Sequence, residues 1–441
     1  MSKWTGKVLL TVIVTMSLVL TGCGSNNGAS TAAENSRVDG QTKEIRMLSY
    51  DWNTEGDTLA AIYDDILVEF NSRPDLDATL EVQRISGKPY WTKLNAVIAA
   101  NNAPDIFVTH AAGILGNYQE ANKILSLSEA LEADPAWKDR FLPGVFDLMT
   151  FDGKVYGIPV SMTTTALFYN KEIFEAYGLE APETYEELKQ VCKVLISHGI
   201  TPFALGAKEP WTAALLSELI ANRIGGDEPI QLLMEGKGSW EDASFIQAGS
   251  IMQELADMGA FPNDYLGLNY DGMKAMFKNG EAAMIVMGSW IIGTVMESDS
   301  KVVDKIGVAK FPGFSGGKGS VDAWLSQPDY NLAISASAKD YESALAFAKM
   351  WSDPVIQARI AEEGGKIPIA KADVDMAKVP QLYKELNDLM RDMKDMFIYY
   401  DVGFGPPLGD EYNNTIQAIL AGKTPEEAFR DLQVFYDQQL K

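Results

Sequence analysis

Histidine and cysteine are almost missing from this chain, with two of each among 441 residues. That scarcity excludes a zinc or copper centre built in the usual way from imidazole and thiolate. Basic residues are also short: 37 Lys and Arg stand against 61 Asp and Glu, for a formal charge of -24. Such an excess of acid opposes binding to nucleic acid or to an anionic lipid surface, and no stretch interleaves basic and aromatic residues as a nucleic-acid groove does. Long apolar runs are absent too. The longest, Val8 to Leu20, falls well short of the roughly 20 residues that a helix needs to cross a bilayer. There is no internal repeat.

What the chain does have begins at its start. Lys3 and Lys7 form a basic head, the apolar run follows, and small residues Thr21 and Gly22 close it; this is the pattern of a secretory signal. Leu20-Thr21-Gly22-Cys23 resembles the bacterial lipobox, whose cysteine takes a diacylglycerol and becomes the new N-terminus. On this reading residues 1–22 are a lipoprotein signal peptide and Cys23 is the lipidation site. Acyl chains at about 0.8 kcal/mol per buried CH₂ anchor a domain without a span. Gly24 to Thr42 is rich in Gly, Ser, Asn and Ala, so residues 23–42 read as a lipidated flexible tether reaching roughly 25 Å. The protein is therefore expected on the outer face of a cell membrane, on a Gram-positive-type surface or in a periplasm. Cys192 is left without a partner and is expected as a small buried hydrophobe. Catalysis by Cys192 needs a base, and the only histidines are His110 and His198; the latter precedes Gly199 at a helix end, where a cap is expected.

From Lys43 the pattern alternates. "EIRMLSY" predicts a strand; Leu59, Ile62, Ile66 and Phe70 recur at helical spacing; "TLEVQRI" predicts a strand, "YWTKLNAVIAA" a helix and "DIFVT" a short buried strand. Alternation of this kind predicts parallel pairing with helices on the faces, and ligands gather at the carboxyl ends of such strands. Trp52 follows the first strand and His110 the third, so both are expected at one crevice, with Asp105 satisfying backbone groups beneath it. Farther on, Thr184 with Glu187 and Thr424 with Glu427 predict capping boxes. Ser352 and Pro354 are expected to open another helix, and Gly199, Gly259 and Gly422 to close three. Asp152-Gly153 predicts a two-residue hairpin turn.

Five segments carry a resemblance: "PDIF" at Pro104, "DGKVYGIP" at Asp152, "ALFYNKEIFEAYGL" at Ala166, "PETYEELK" at Pro182 and "FKNGEAAMIVMGSW" at Phe277. In this order, and finishing with "AGKTPEEAFRDLQ" at Ala421, they resemble the extracellular solute-binding proteins of carbohydrate ABC importers, the group that includes maltose-binding protein. The resemblance implies an α/β, two-lobed periplasmic-binding-protein-like fold (type II) with the ligand cleft between lobes joined by hinge crossings. The crossings are expected near Met162 to Leu167, Ser326 to Asn331 and Ile369 to Asp375, which makes lobe I residues 43–163 plus 331–370 and lobe II residues 167–325 plus 375–441. It implies a monomeric binding protein without a cofactor, partnered by a carbohydrate and by the transmembrane subunits of an ABC permease.

A neutral sugar offers hydroxyls and apolar C–H faces, so its site needs aromatic platforms rimmed by hydrogen-bonding groups. "KEPW" places Glu209 and Trp211 where the family has a Glu-Pro-aromatic element that contacts sugar. Trp290 of "GSW" matches the family's stacking tryptophan. His110 stands near the family's aromatic after the "PDI" strand, and the absence of Trp there implies a ligand of different size or linkage. Trp52, Trp324 on a Gly-rich loop and Asp410 of "GPPLGDEY" complete the ligand-binding candidates. Other classes share some of these features. A glycoside hydrolase needs two carboxylates about 5 to 10 Å apart, for which Glu209 and Asp410 are candidates that nothing in their spacing marks as a pair. Tyr399-Tyr400 is similar to the paired tyrosines of ferric-binding proteins, and a receptor for a non-sugar solute or for a sensor kinase would look alike.

Overall fold

The computed structural model describes residues 43–50, 58–85 and 87–440. The expected signal, tether, Cys23 and Trp52 lie outside them. Strands β1 (Lys43–Tyr50), β2 (Ala78–Ile85) and β3 (Ile106–Thr109) alternate with helices α1 (Thr58–Ser72), α2 (Lys88–Ala99) and α3 (Ala112–Glu120). The helical period does its work on α1: Ile62, Ile66 and Phe70 are fully buried against the sheet. β1 pairs in parallel with both β2 and β3, as the alternation predicts. The Asp105 carboxylate accepts the amides of Arg46 and Lys339 at 2.8 and 2.6 Å, which pins the entry to β3.

Beyond α3, β4 (Thr150–Phe151) and β5 (Lys154–Val155) form the small hairpin, with Asp152 and Gly153 both at positive φ as a type I′ turn requires. Then β6 (Ile158–Pro159) and β12 (Asn331–Ile334) complete a first sheet in the order β2-β1-β3-β12-β6. A second sheet, β13-β11-β7-β9-β8, is built from β7 (Met162–Asn170), β8 (Thr201–Phe203), β9 (Ala282–Gly288), β11 (Ala323–Pro328) and β13 (Asp395–Phe397), with β10 (Ile306–Ala309) also on β7. Each sheet has its own apolar core, one drawn from Ile45 to Val160 and Leu332 to Ala370, the other from Ala166 to Leu325 and Val379 to Tyr436.

The chain passes between the sheets at Val160–Ser161, between β6 and β7, and at Asp329–Tyr330, between β11 and β12. These segments bond to each other: Val160 N–H donates to Tyr330 C=O and Asp329 N–H to Ser161 C=O, both at 2.8 Å. A later segment joins them, with Met162 N–H donating to Ile367 C=O at 2.9 Å. Gln357, fully buried, ties the set by donating to the Val160 carbonyl and accepting the Ile369 amide.

Local capping follows the sequence closely. Thr184 and Glu187 make the reciprocal capping box, Thr424 makes only the forward half of the box expected there by accepting the Glu427 amide, and His198 caps a helix end with Nδ1 2.9 Å from the Val194 carbonyl. One expectation is corrected: Ser352 ends the helix Tyr341–Trp351, and Asp353 is the residue that caps the next, its carboxylate accepting the Val355 amide. Ser352 Oγ bonds backward to Ala348 and Lys349 carbonyls, which leaves the aspartate free for the forward cap. Cys192 is fully buried, and burial pushes its thiol up to about 12. No helix among the described residues is long and apolar enough to cross a membrane.

Candidate functional site

An aromatic cluster forms where β1, β3 and the Asp329–Tyr330 crossing end together. His110, directly after β3, stacks on Trp91 of α2 with ring centroids 4.9 Å apart and meets Tyr330 at 4.8 Å. Tyr50 at the end of β1 touches Tyr330, Tyr90 and Trp91 at 5.0, 5.2 and 5.5 Å. The Tyr90 hydroxyl donates into the sheet, to the Val108 carbonyl at 2.5 Å, which locks that ring under the others. Trp91 reads from sequence as one more helix-face residue; only the fold turns it onto His110.

His110 Nδ1 lies 3.2 Å from the Asp329 carbonyl. A carbonyl only accepts, so Nδ1 carries the proton and Nε2 of the neutral ring is an acceptor suited to a ligand hydroxyl. Burial lowers the His110 pKa, and the neighbouring Asp401 and Asp329 oppose that shift only in part. The sign of the pH effect follows. As pH falls through about 6.5 the unfolded ring takes up a proton that the folded ring refuses, so stability is lost in that window. His110→Gln should therefore show a smaller fall in urea midpoint between pH 7.5 and 5.5 than the parent. Equal falls in both proteins would mean that His110 is not held neutral.

A second cluster sits beside β7 and β9. Trp290 follows β9, its Nε1 donating to the Tyr270 hydroxyl at 2.8 Å. Tyr270 also meets Trp211 at 4.9 Å, and Trp290 meets Trp211 at 6.3 Å and Tyr399 at 6.2 Å. Glu209 supports this group through Oε2, which accepts the Tyr270 amide at 2.8 Å. The cluster is fastened to the crossing strand: Tyr399 and Thr165 share a hydroxyl hydrogen bond of 3.0 Å, and Ser289 N–H donates to Thr164 C=O at 2.7 Å. A Cβ on Gly288 would fall 2.0 Å from the Trp290 ring, so a glycine here is what lets the indole lie across the strand end.

Of the sequence candidates, Glu209, Trp211 and Trp290 stand together in the second cluster and His110 anchors the first. Asp410 is exposed near the start of the helix Leu408–Leu420. Trp324 differs from its expectation: it lies within β11, not on a Gly-rich loop, and is only 3% exposed inside the second core. The Gly-rich segment ends before it, and paired neighbours on β7 and β13 leave the ring an interior position. The sequence does not mark Tyr50, Trp91, Tyr270 or Tyr330 as ligand contacts, and marks Tyr399 only by its likeness to the paired tyrosines of ferric-binding proteins; the alternation that places Trp52 and His110 at strand ends also covers Tyr50. Asp401 was missed as well. It sits in the short helix Tyr400–Phe404, accepts the Asn413 amide at 2.9 Å, and acts electrostatically on His110. Tyr400 is 1% exposed, and no group of three or more His, Cys, Asp or Glu suited to a metal occurs among the described residues.

Comparison with known proteins adds the following. Residues 52–358 match the family of bacterial extracellular solute-binding proteins. A solved structure concerned with xylan utilization by the thermophilic bacterium Caldanaerobius polysaccharolyticus superposes with a TM-score of 0.84 at 30% identity, covering 90% of this chain and 100% of that one. An ABC transporter extracellular-binding protein of Pyrococcus horikoshii is 25% identical over 297 residues, 66% of this chain and 65% of its relative. The multiple sugar-binding protein of Streptococcus mutans is 24% identical over 306 residues, 65% of this chain and 71% of that protein. The chain thus spans just under two thirds of the Pyrococcus relative's length.

Proposed function

This chain belongs to the bacterial extracellular solute-binding protein family, and from that premise we propose that it captures a sugar or oligosaccharide between two α/β lobes and delivers it to an ABC permease. Family membership makes it a binding protein of the two-lobed, type II fold rather than an enzyme. One observation carries the choice of ligand: each lobe brings an aromatic cluster to the chain crossings, His110 with Trp91 and Tyr330 on one side, Trp290 with Trp211 and Tyr270 on the other. Flat apolar rings beside acceptors such as Glu209, Asp401 and His110 Nε2 suit the C–H faces and hydroxyls of a neutral sugar. The sugar-related relatives from Streptococcus and Caldanaerobius support the same reading.

The lobes we assign keep their expected outline with one boundary corrected: β7 from Met162 belongs to the second sheet, so the first crossing falls at Val160–Ser161, ahead of the expected Met162 to Leu167, and the lobes become residues 43–160 with 331–370 and residues 162–328 with 375–441. The ligand contacts we assign are His110, Glu209, Trp211 and Trp290, with Asp401, Trp91, Tyr270 and Tyr330 added, Asp410 at the rim and Trp52 after β1. Cys23 is proposed as the lipid anchor that holds a monomeric receptor beside its transporter on the outer face of the membrane. Thermal denaturation against a panel of mono- and oligosaccharides tests the function. A ligand at a hundred times its Kd adds about 2.7 kcal/mol to the native state, so one sugar class should raise the melting temperature clearly. A rise with amino acids or phosphate compounds, and none with any sugar, would overturn the carbohydrate assignment.

A further inference from the structure

Besides the crossings, the lobes meet at a place where main chain packs directly on main chain. α3, which starts two residues after His110, carries Gly113 against the main chain at the end of the Tyr400–Phe404 helix. A Cβ built on Gly113 would lie 2.6 Å from the Phe404 carbonyl carbon and 2.7 Å from both Gly403 O and Gly405 N. The reciprocal holds: a Cβ on Gly405 would lie 2.7 Å from Gly113 C. Asn117 Nδ2, one turn along α3, donates to the Pro406 carbonyl at 3.1 Å. Ala112 and Ile114 of α3 pack on the core of the other lobe, and Ala112 takes a positive φ of 48°, a costly conformation for alanine that directs the chain into this contact.

We propose that this glycine-on-glycine contact is the latch that sets how far the two lobes close, a role that rests on the two-lobed receptor reading. Lobes that turn about crossings must make or break any contact away from the hinge. This one adjoins the site on both sides, since His110 precedes α3 and Asp401 lies in the partner helix. That helix is fixed to its own lobe by the Tyr400 amide on Glu218 and by Asn413 on Asp401. Any closure that draws His110 and Asp401 together, with ligand or without it, therefore brings Gly113 onto Gly405. Because main chain faces main chain, no rotamer can yield to an added methyl group, and the lobes must part instead.

Gly113→Ala tests the latch. Alanine is the better helix former, so α3 itself does not suffer; Gly293→Ala, where nothing lies within 4 Å of the added carbon, is the matched control. The expected result is a larger radius of gyration by small-angle scattering for unliganded Gly113→Ala than for the parent and the control, with an unchanged melting temperature. Affinity for xylotriose, the probe, should fall about tenfold, as a smaller closed population requires. Superimposable unliganded scattering curves would overturn the latch, as would a lowered melting temperature without expansion, which would make the contact a permanent part of the core. If xylotriose fails to bind the parent, that failure counts against the sugar reading for this probe, and the unliganded curves decide the latch alone.

Discussion

Trp290→Ala is expected to weaken sugar binding by about 2 kcal/mol or more, roughly 30-fold in Kd, the loss typical of a truncated aromatic anchor. The ring is half-buried and clamped, with its N–H on Tyr270 and the Trp211 and Tyr399 rings tilted and edge-on to it at 6.3 and 6.2 Å. A platform held in this way loses little conformational freedom when a sugar stacks on it, so most of the contact energy is available for binding. Truncation also removes the indole N–H from the Tyr270 hydroxyl, while Glu209 still holds the Tyr270 amide. Calorimetry with the sugar that gives the largest thermal shift measures the loss, and Trp290→Phe should recover part of it. An unchanged Kd for Trp290→Ala would remove this residue from the ligand site.

Lys366→Met should destabilise the protein by about 3 kcal/mol, because it strands a charge at the hinge. Lys366 Nζ and Asp329 Oδ2 lie 2.7 Å apart with side chains only 15% and 10% exposed. Asp329 is itself part of a crossing: its amide donates to Ser161 and its carbonyl accepts His110. An uncompensated carboxylate there is felt in the fold and in the site at once. The double variant Asp329→Asn with Lys366→Met removes both charges and should regain most of the loss, since a buried pair replaced by neutral groups is often near break-even. Denaturant unfolding of the parent, both single variants and the double variant reads the coupling directly. A single-variant loss of only about 1 kcal/mol or less would place the pair with exposed ion pairs.

Both variants bear on residues whose roles differed in how readable they were. As proposed ligand contacts, Trp290 and Trp211 are legible because each sits in a short motif, "GSW" and "KEPW", that resembles a family element. Lys366 and Asp329 carry no such mark, being ordinary charged residues 37 positions apart. Trp324 shows the opposite error: a tryptophan near glycines looks like a ligand platform until its strand neighbours enclose it. Aromatic side chains serve cores and sugar sites equally well, so residue type alone does not separate the two.

The sequence by itself determined what depends on neighbours along the chain. The β1-α1-β2-α2-β3 alternation, the Thr184–Glu187 capping box and the Asp152-Gly153 turn follow from periodicity and local hydrogen bonding, and family motifs spread over the chain identified a two-lobed receptor. Only the tertiary structure decided which aromatics assemble and which glycines touch. His110 reaches the Asp329 carbonyl across 219 residues and Asn117 reaches Pro406 across 289. Such contacts arise because two separately packed cores bring distant strand ends and helix ends together, and nothing in the residues adjacent to either partner encodes which surface the other lobe will present.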